Sequence, residues 1–121
     1  MKFAHNSEKI FSEHLDLFDI KWLYEPTSFP LKWDSGSIKM MFTPDFYLPE
    51  LNIYVEITTM NQKLITKKQR KVKLCKKLYP QLNFKLINEK EFLAILETNY
   101  VTTDEWDSKR QIYEEKVALG F

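Results

Sequence analysis

The segment from Ile53 to Ile87 constrains this chain most. IYVEIT at 53–58 alternates Ile53, Val55 and Ile57 with Tyr54, Glu56 and Thr58, the two-residue period of a strand. Residues 62–79 follow with apolar positions Leu64/Ile65, Val72, Cys75 and Leu78/Tyr79 on one helical stripe and basic residues around the rest. Pro80 stops that helix, and NFKLI at 83–87 is again strand-like. A helix joining two strands predicts that they lie parallel in one sheet, with a right-handed crossover.

The remainder reads around that unit. Residues 7–19 space Ile10/Phe11, His14/Leu15 and Leu17/Phe18 as a helix, with Asn6 or Ser7 as N-cap. KWLYE at 21–25 and SFPLKW at 28–33 read as short strands separated by Pro26, DSGS at 34–37 is a turn, and 38–48 reads as one extended run with Pro44 at an edge or bulge. PELN at 49–52 is a turn, 89–97 a short helix, and 103–118 a further helix with Trp106, Tyr113 and Val117 on one side. The expected fold class is α/β, a central mixed sheet flanked by helices. At 121 residues the chain is expected to form a single domain, 1–121, with a core at 7–87 and a helical extension at 89–121.

Composition removes several function classes. Two glycines, Gly36 and Gly120, cannot build a phosphate loop or a dinucleotide-binding turn. One cysteine, Cys75, excludes a disulfide framework and a multi-cysteine zinc site, and two histidines leave little for a histidine-rich metal centre. No run of about 18 apolar residues exists, and the start MKFAHNSEKIF lacks a signal-peptide core. The expectation is a soluble, cytoplasmic (intracellular) protein without a membrane partner.

The net charge of +1 conceals an asymmetry. Lys63, Lys67, Lys68, Arg70, Lys71, Lys73, Lys76 and Lys77 carry +8 with no acid between them, so the rest of the chain carries 10 − 17 = −7. This is the pattern of a surface facing a polyanion, and equally of a solvated helix face.

Three carboxylates converge if the turn at 49–52 is a four-residue loop. Leu48 then opposes Ile53, Tyr47 opposes Tyr54, Phe46 opposes Val55 and Asp45 opposes Glu56, partners whose Cβ atoms lie about 4.5–5.5 Å apart. Two like charges so placed call for a cation between them or a proton on one. Glu8 shares the helical stripe of Phe11, Leu15 and Phe18 and so faces the sheet. Oxygen ligands alone suit Mg²⁺ or Mn²⁺, and the basic helix beginning a few residues after Glu56 sets phosphate-attracting charge nearby. Together these features point to phosphodiester hydrolysis.

On these residues (SEKIFSEHL around Glu8, WLYEP at 22–26, TPDFYLPE at 43–50, and YVEIT at 54–58 before the basic helix) the chain resembles the PD-(D/E)xK nuclease superfamily, the restriction-endonuclease-like fold. The resemblance covers about residues 7–87 and implies an α-β-β-β-α-β core. It also implies Asp45 and Glu56 as metal ligands with the carbonyl of Ile57, and Glu8 as a supporting acid. The lysine that the family places two residues after the glutamate is here Thr58. Thr58 can hold water but supplies no charge, and Lys63, Lys67, Lys68 or Gln62 from the next helix are candidates to replace the lysine.

The resulting expectation is a Mg²⁺-dependent endonuclease acting on DNA, RNA being a second possible substrate. The expected catalytic set is Glu8, Asp45, Glu56, Thr58 and Lys63, with Lys67, Lys68, Arg70 and Lys71 on the nucleic-acid backbone. A catalytically inactive nucleic-acid-binding subunit of a DNA-processing complex is the alternative, and a protein-facing lysine helix a third. The chain is expected to work as a homodimer or within a larger complex. Glu25 is read as lining the rim of the site or as structural or exposed, His14 and Cys75 as core, and Tyr47, Tyr54, Trp22 and Trp33 as core or stacked on bases.

Overall fold

A computed structural model describes residues 2–58 and 62–98. Their elements are α1 (Asn6–Leu17), β1 (Leu23–Tyr24), β2 (Phe29–Asp34), β3 (Ser37–Phe42), β4 (Phe46–Leu48), β5 (Ile53–Thr58), α2 (Gln62–Leu78), β6 (Phe84–Asn88) and α3 (Glu89–Thr98). The helix expected at 103–118 lies outside the described residues.

Four strands form a mixed sheet in the order β1-β4-β5-β6, flanked by helices, while β2 and β3 form a separate antiparallel hairpin. β5 and β6 are parallel, as the intervening helix requires. β4 and β5 are antiparallel with Phe46 opposite Val55, Tyr47 opposite Tyr54 and Leu48 opposite Ile53, the register expected from the 49–52 turn. Asn52 closes that turn at φ 51°, a left-handed conformation that asparagine tolerates.

The run at 38–48 is two strands rather than one. β3 ends at Phe42, β4 begins at Phe46, and they belong to different sheets. Pro44 lies in the break, where its missing N–H costs no ladder bond. α1 begins one residue earlier than expected: its N-cap is His5, whose side chain makes no capping bond.

Two apolar clusters hold the layers together. Phe11, Leu15 and Phe18 of the α1 region pack with Phe46, Leu48, Ile53, Val55, Ile57, Ile87 and Phe92. Phe29, Leu31 and Phe42 of the hairpin pack with Val72, Cys75 and Phe84, and Tyr54 joins them. The alternation of β5 therefore sends its isoleucines and valine to the first cluster and Tyr54, on the side of Glu56, to the second. Phe92 brings α3 into the same core. Burial pushes the Cys75 thiol up to about 11, as suits a packed, unreactive residue. Among the described residues no helix is long and apolar enough to cross a membrane.

Candidate active site

Asp45 immediately precedes β4, and its backbone N–H donates to Glu56 Oε1 at 3.0 Å. In return the Asp45 carboxylate accepts from the Ile57 N–H at 2.8 Å through Oδ2. The two acids are thus not a simple facing pair of ladder residues. Each carboxylate accepts from a backbone amide of the opposite segment, which lets two acids occupy one buried place. Asp45 is 8% exposed and Glu56 5%.

Lys68 completes this group from α2. Its Nζ stands 3.0 Å from Glu56 Oε2 and donates to the Ile57 carbonyl at 2.9 Å. Burial raises the Glu56 pKa, against which the Lys68 charge and hydrogen bond act to lower it. Asp45 is pushed up to about 8, first by burial and then by the Glu56 charge, with the Ile57 N–H opposing both.

On the other side of Asp45 stand Glu8 and Glu25. One carboxylate oxygen from each of Glu8, Glu25 and Asp45 lies within 4.8 Å of the others. Glu8, in the first turn of α1, is 2% exposed and accepts a hydrogen bond from the Tyr24 hydroxyl at 2.5 Å. The Tyr24 oxygen accepts from the Ala4 N–H at 3.1 Å, and burial together with the Glu8 carboxylate raises the phenol pKa. Glu25 is placed by register. Leu23 opposes Tyr47 and Tyr24 opposes Phe46, and the Glu25 N–H donates to the Asp45 carbonyl at 2.9 Å. Glu25 holds φ 47°, a left-handed conformation unfavourable for a glutamate and more so before Pro26.

Of the residues singled out from sequence, Glu8, Asp45, Glu56 and the Ile57 carbonyl converge here, and the Ile57 carbonyl is engaged by Lys68. Thr58 is fully buried, and its Oγ1 has no hydrogen-bond partner. The Lys63 and Gln62 side chains lie outside the described residues. Lys67, Arg70 and Lys71 face away from the carboxylates, along a groove toward Lys32 and Met40. Tyr47 and Tyr54 lie ring to ring at 4.5 Å, and Trp22 packs edge-on against Phe46; Trp33 is exposed. His14 is buried against Phe18 but is not hydrogen-bonded: both ring nitrogens lack partners, and burial lowers its pKa to about 4.

The sequence offers no sign of a role for Tyr24 and leaves Glu25 at the rim, structural or exposed; the Glu25 side chain is exposed and beside Asp45. The signal for Glu25 was its place next to Pro26 beyond a two-residue strand, legible only once β1 is known to pair with β4. The signal for Lys68 was plainer. The apolar stripe of the basic helix runs Ile65, Val72, Cys75, Tyr79 with a gap where Lys68 falls, so one lysine had to point at the sheet.

The donor set of Glu8, Glu25 and Asp45 is all oxygen and mostly buried, chemistry that fits a hard divalent cation. Searches of protein-family models, curated proteins and solved structures each return no match for this chain.

Proposed function

We propose that the protein is a metal-dependent endonuclease that hydrolyses DNA phosphodiester bonds on a restriction-endonuclease-like core. The observation that carries this reading is the position of Lys68 on Glu56 and the Ile57 carbonyl, beside buried Asp45. A fixed cation there supplies the charge that Thr58 lacks.

Glu8, Glu25 and Asp45 would hold Mg²⁺ or Mn²⁺, with Glu56 adjacent. Such an ion neutralises phosphate charge and lowers the pKa of water. The Tyr24 hydroxyl fixes the orientation of Glu8, and the Ile57 N–H fixes that of Asp45. Glu56 holds the Lys68 ammonium, which is a donor available to an attacking water or to the developing charge on a phosphate oxygen. Glu8, Asp45 and Glu56 are buried, and exposed Glu25 leaves the site open to solvent on its side.

Cleavage of supercoiled, linear and branched DNA with Mg²⁺, Mn²⁺ or EDTA tests this reading, with Asp45→Ala, Glu56→Ala and Lys68→Ala run beside the wild type. Metal-dependent cutting abolished by all three supports it. Absence of cutting by the wild type on every substrate, with salt-sensitive DNA binding retained, replaces it with a non-catalytic nucleic-acid-binding subunit.

A further inference from the structure

α2 carries cations on two faces. Ile65, Lys68, Val72 and Cys75 follow the inward stripe, over which Val72 and Cys75 pack on both Phe84 and the hairpin, whereas Lys67, Arg70, Lys71 and Leu74 follow the i, i+3, i+4, i+7 spacing along its flank. Between that second face and the β2–β3 hairpin lies a groove of about 630 Å³, lined by Lys32, Met40, Lys67, Arg70, Lys71 and Leu74 and by Thr66. This size is in the range of ligand-holding clefts, about 300–1,000 Å³.

Two features make it more than a solvated helix face. Among the described residues no carboxylate lines it and Lys32, Lys67 and Arg70 form no ion pair, while Lys71 donates to the Met41 carbonyl at 3.4 Å. Second, the hairpin register is irregular on both sides of Lys32, the kind of bulge that re-aims a side chain, and Lys32 pairs with Met40. Met40 and Leu74, both half-buried, supply an apolar wall inside the ring of cations.

A duplex presents phosphates but keeps its base faces stacked, so it cannot use that wall. A purely acidic peptide finds the cations but brings no flat apolar group to it. An unpaired nucleotide brings both. We propose that this groove receives an unpaired nucleotide, its base against Met40 and Leu74 and its neighbouring phosphates on Lys32, Lys67, Arg70 and Lys71. This rests on the nucleic-acid part of the reading above and narrows the substrate to strands with a single-stranded segment. The thioether and the Arg70 guanidinium are suited to an aromatic ring, and the preference is one for unpaired bases, not for a sequence.

The test is fluorescence anisotropy in EDTA with labelled single-stranded DNA and RNA of about 12 nucleotides, within the footprint of one small domain, blunt duplex of equal length, and polyglutamate. Single strands are expected to bind about fivefold tighter than duplex, the scale of one base held against a thioether. Removing two phosphate contacts with Lys67→Ala/Arg70→Ala is expected to lower the single-strand salt slope by roughly 1.4. Met40→Ser is expected to weaken single-strand binding about fivefold without changing duplex binding, and Met40→Leu to preserve most of it.

Equal affinity for duplex, insensitivity to Met40→Ser, or tighter binding of polyglutamate overturns the proposal. Because the readout needs no metal, single-strand preference without any cleavage would leave this groove assigned and remove the endonuclease reading alone. Metal-dependent cutting of fully paired DNA that ignores the groove variants would do the reverse.

Discussion

The ammonium of Lys68 lies 3.0 Å from Glu56 Oε2, although one residue belongs to the basic helix and the other to the central strand. The same ammonium donates to the Ile57 carbonyl, so one side chain ties α2 to β5 at two points. The lysine stem crosses the packing layer while its head reaches the carboxylate, which keeps both charges compensated where water is scarce.

Removing Lys68 should therefore expose a coupling. Lys68→Met leaves Glu56 buried beside Asp45 without its cation and is expected to destabilise the fold by about 2 kcal/mol at pH 7, less than a fully buried pair because Lys68 remains partly open to solvent. Adding Glu56→Gln should recover much of that loss. A double-mutant cycle in urea checks this, and strictly additive effects would contradict the coupling.

Asp45, held at about 8, gives the protein a pH dependence of known sign. A carboxyl whose folded pKa is raised stabilises the fold fully at low pH, and that contribution is lost as pH climbs from about 4 toward 8. Metal-free Asp45→Asn is expected to melt above the wild type at pH 8 and to show a flatter profile between pH 5 and 8. Mg²⁺ or Mn²⁺ should raise the wild-type melting temperature more at pH 8.5 than at pH 6, with proton release on binding. Thermal melts over that range, with and without metal, decide both points.

His14 works in the opposite pH direction. Its lowered pKa means that the folded protein resists taking up a proton that the unfolded chain accepts near 6.5. Stability is full above that value and falls as pH drops through 6.5 toward about 4, by roughly 2 kcal/mol at pH 5. His14→Leu leaves no unpartnered ring nitrogen in the core and is expected to remove this acid sensitivity. Urea denaturation at pH 5 and pH 7.5 measures the difference; an unchanged slope would place the sensitivity elsewhere.

Tyr24 offers a change that reaches the carboxylates while leaving the ring packing in place. Its ring packs edge-on against Phe3 and Phe46, contacts that Tyr24→Phe retains, while the hydrogen bond to Glu8 and the one from the Ala4 N–H are lost. Divalent-ion affinity is expected to fall about tenfold, as for removal of a group that orients a metal ligand. Titration of the Mn²⁺-dependent melting shift reads this, and Glu8→Gln should fall at least as far.

Much of the architecture was legible along the chain because it rests on local spacing. The alternation at 53–58, the helical stripe ended by Pro80, and the short turn at 49–52 together specify a parallel pair, an antiparallel pair and their register. That register brings Asp45 near Glu56, and the stripe through Phe11 and Leu15 turns Glu8 inward. Pro44 marked an irregularity, but spacing alone does not say that the chain changes sheets there. That choice depends on whether Phe42 finds its partners in the α2 layer and Phe46 in the α1 layer.

Which residues are acidic, which side of a periodic element they fall on, and that one lysine breaks the apolar stripe of the basic helix are properties of the chain before it folds. Which groups meet is set by packing. Neighbouring lysines differ by about 100° around a helix axis, so Lys68 reaches Glu56 while Lys67 lines the groove, and that division exists only once α2 is docked. The hydrogen bonds from the Asp45 N–H to Glu56 and from the Ile57 N–H to Asp45, and the arrival of Glu25 beside them, likewise depend on segments far apart in sequence. Charge type and periodicity are local properties of a chain; desolvation and charge pairing arise when elements pack.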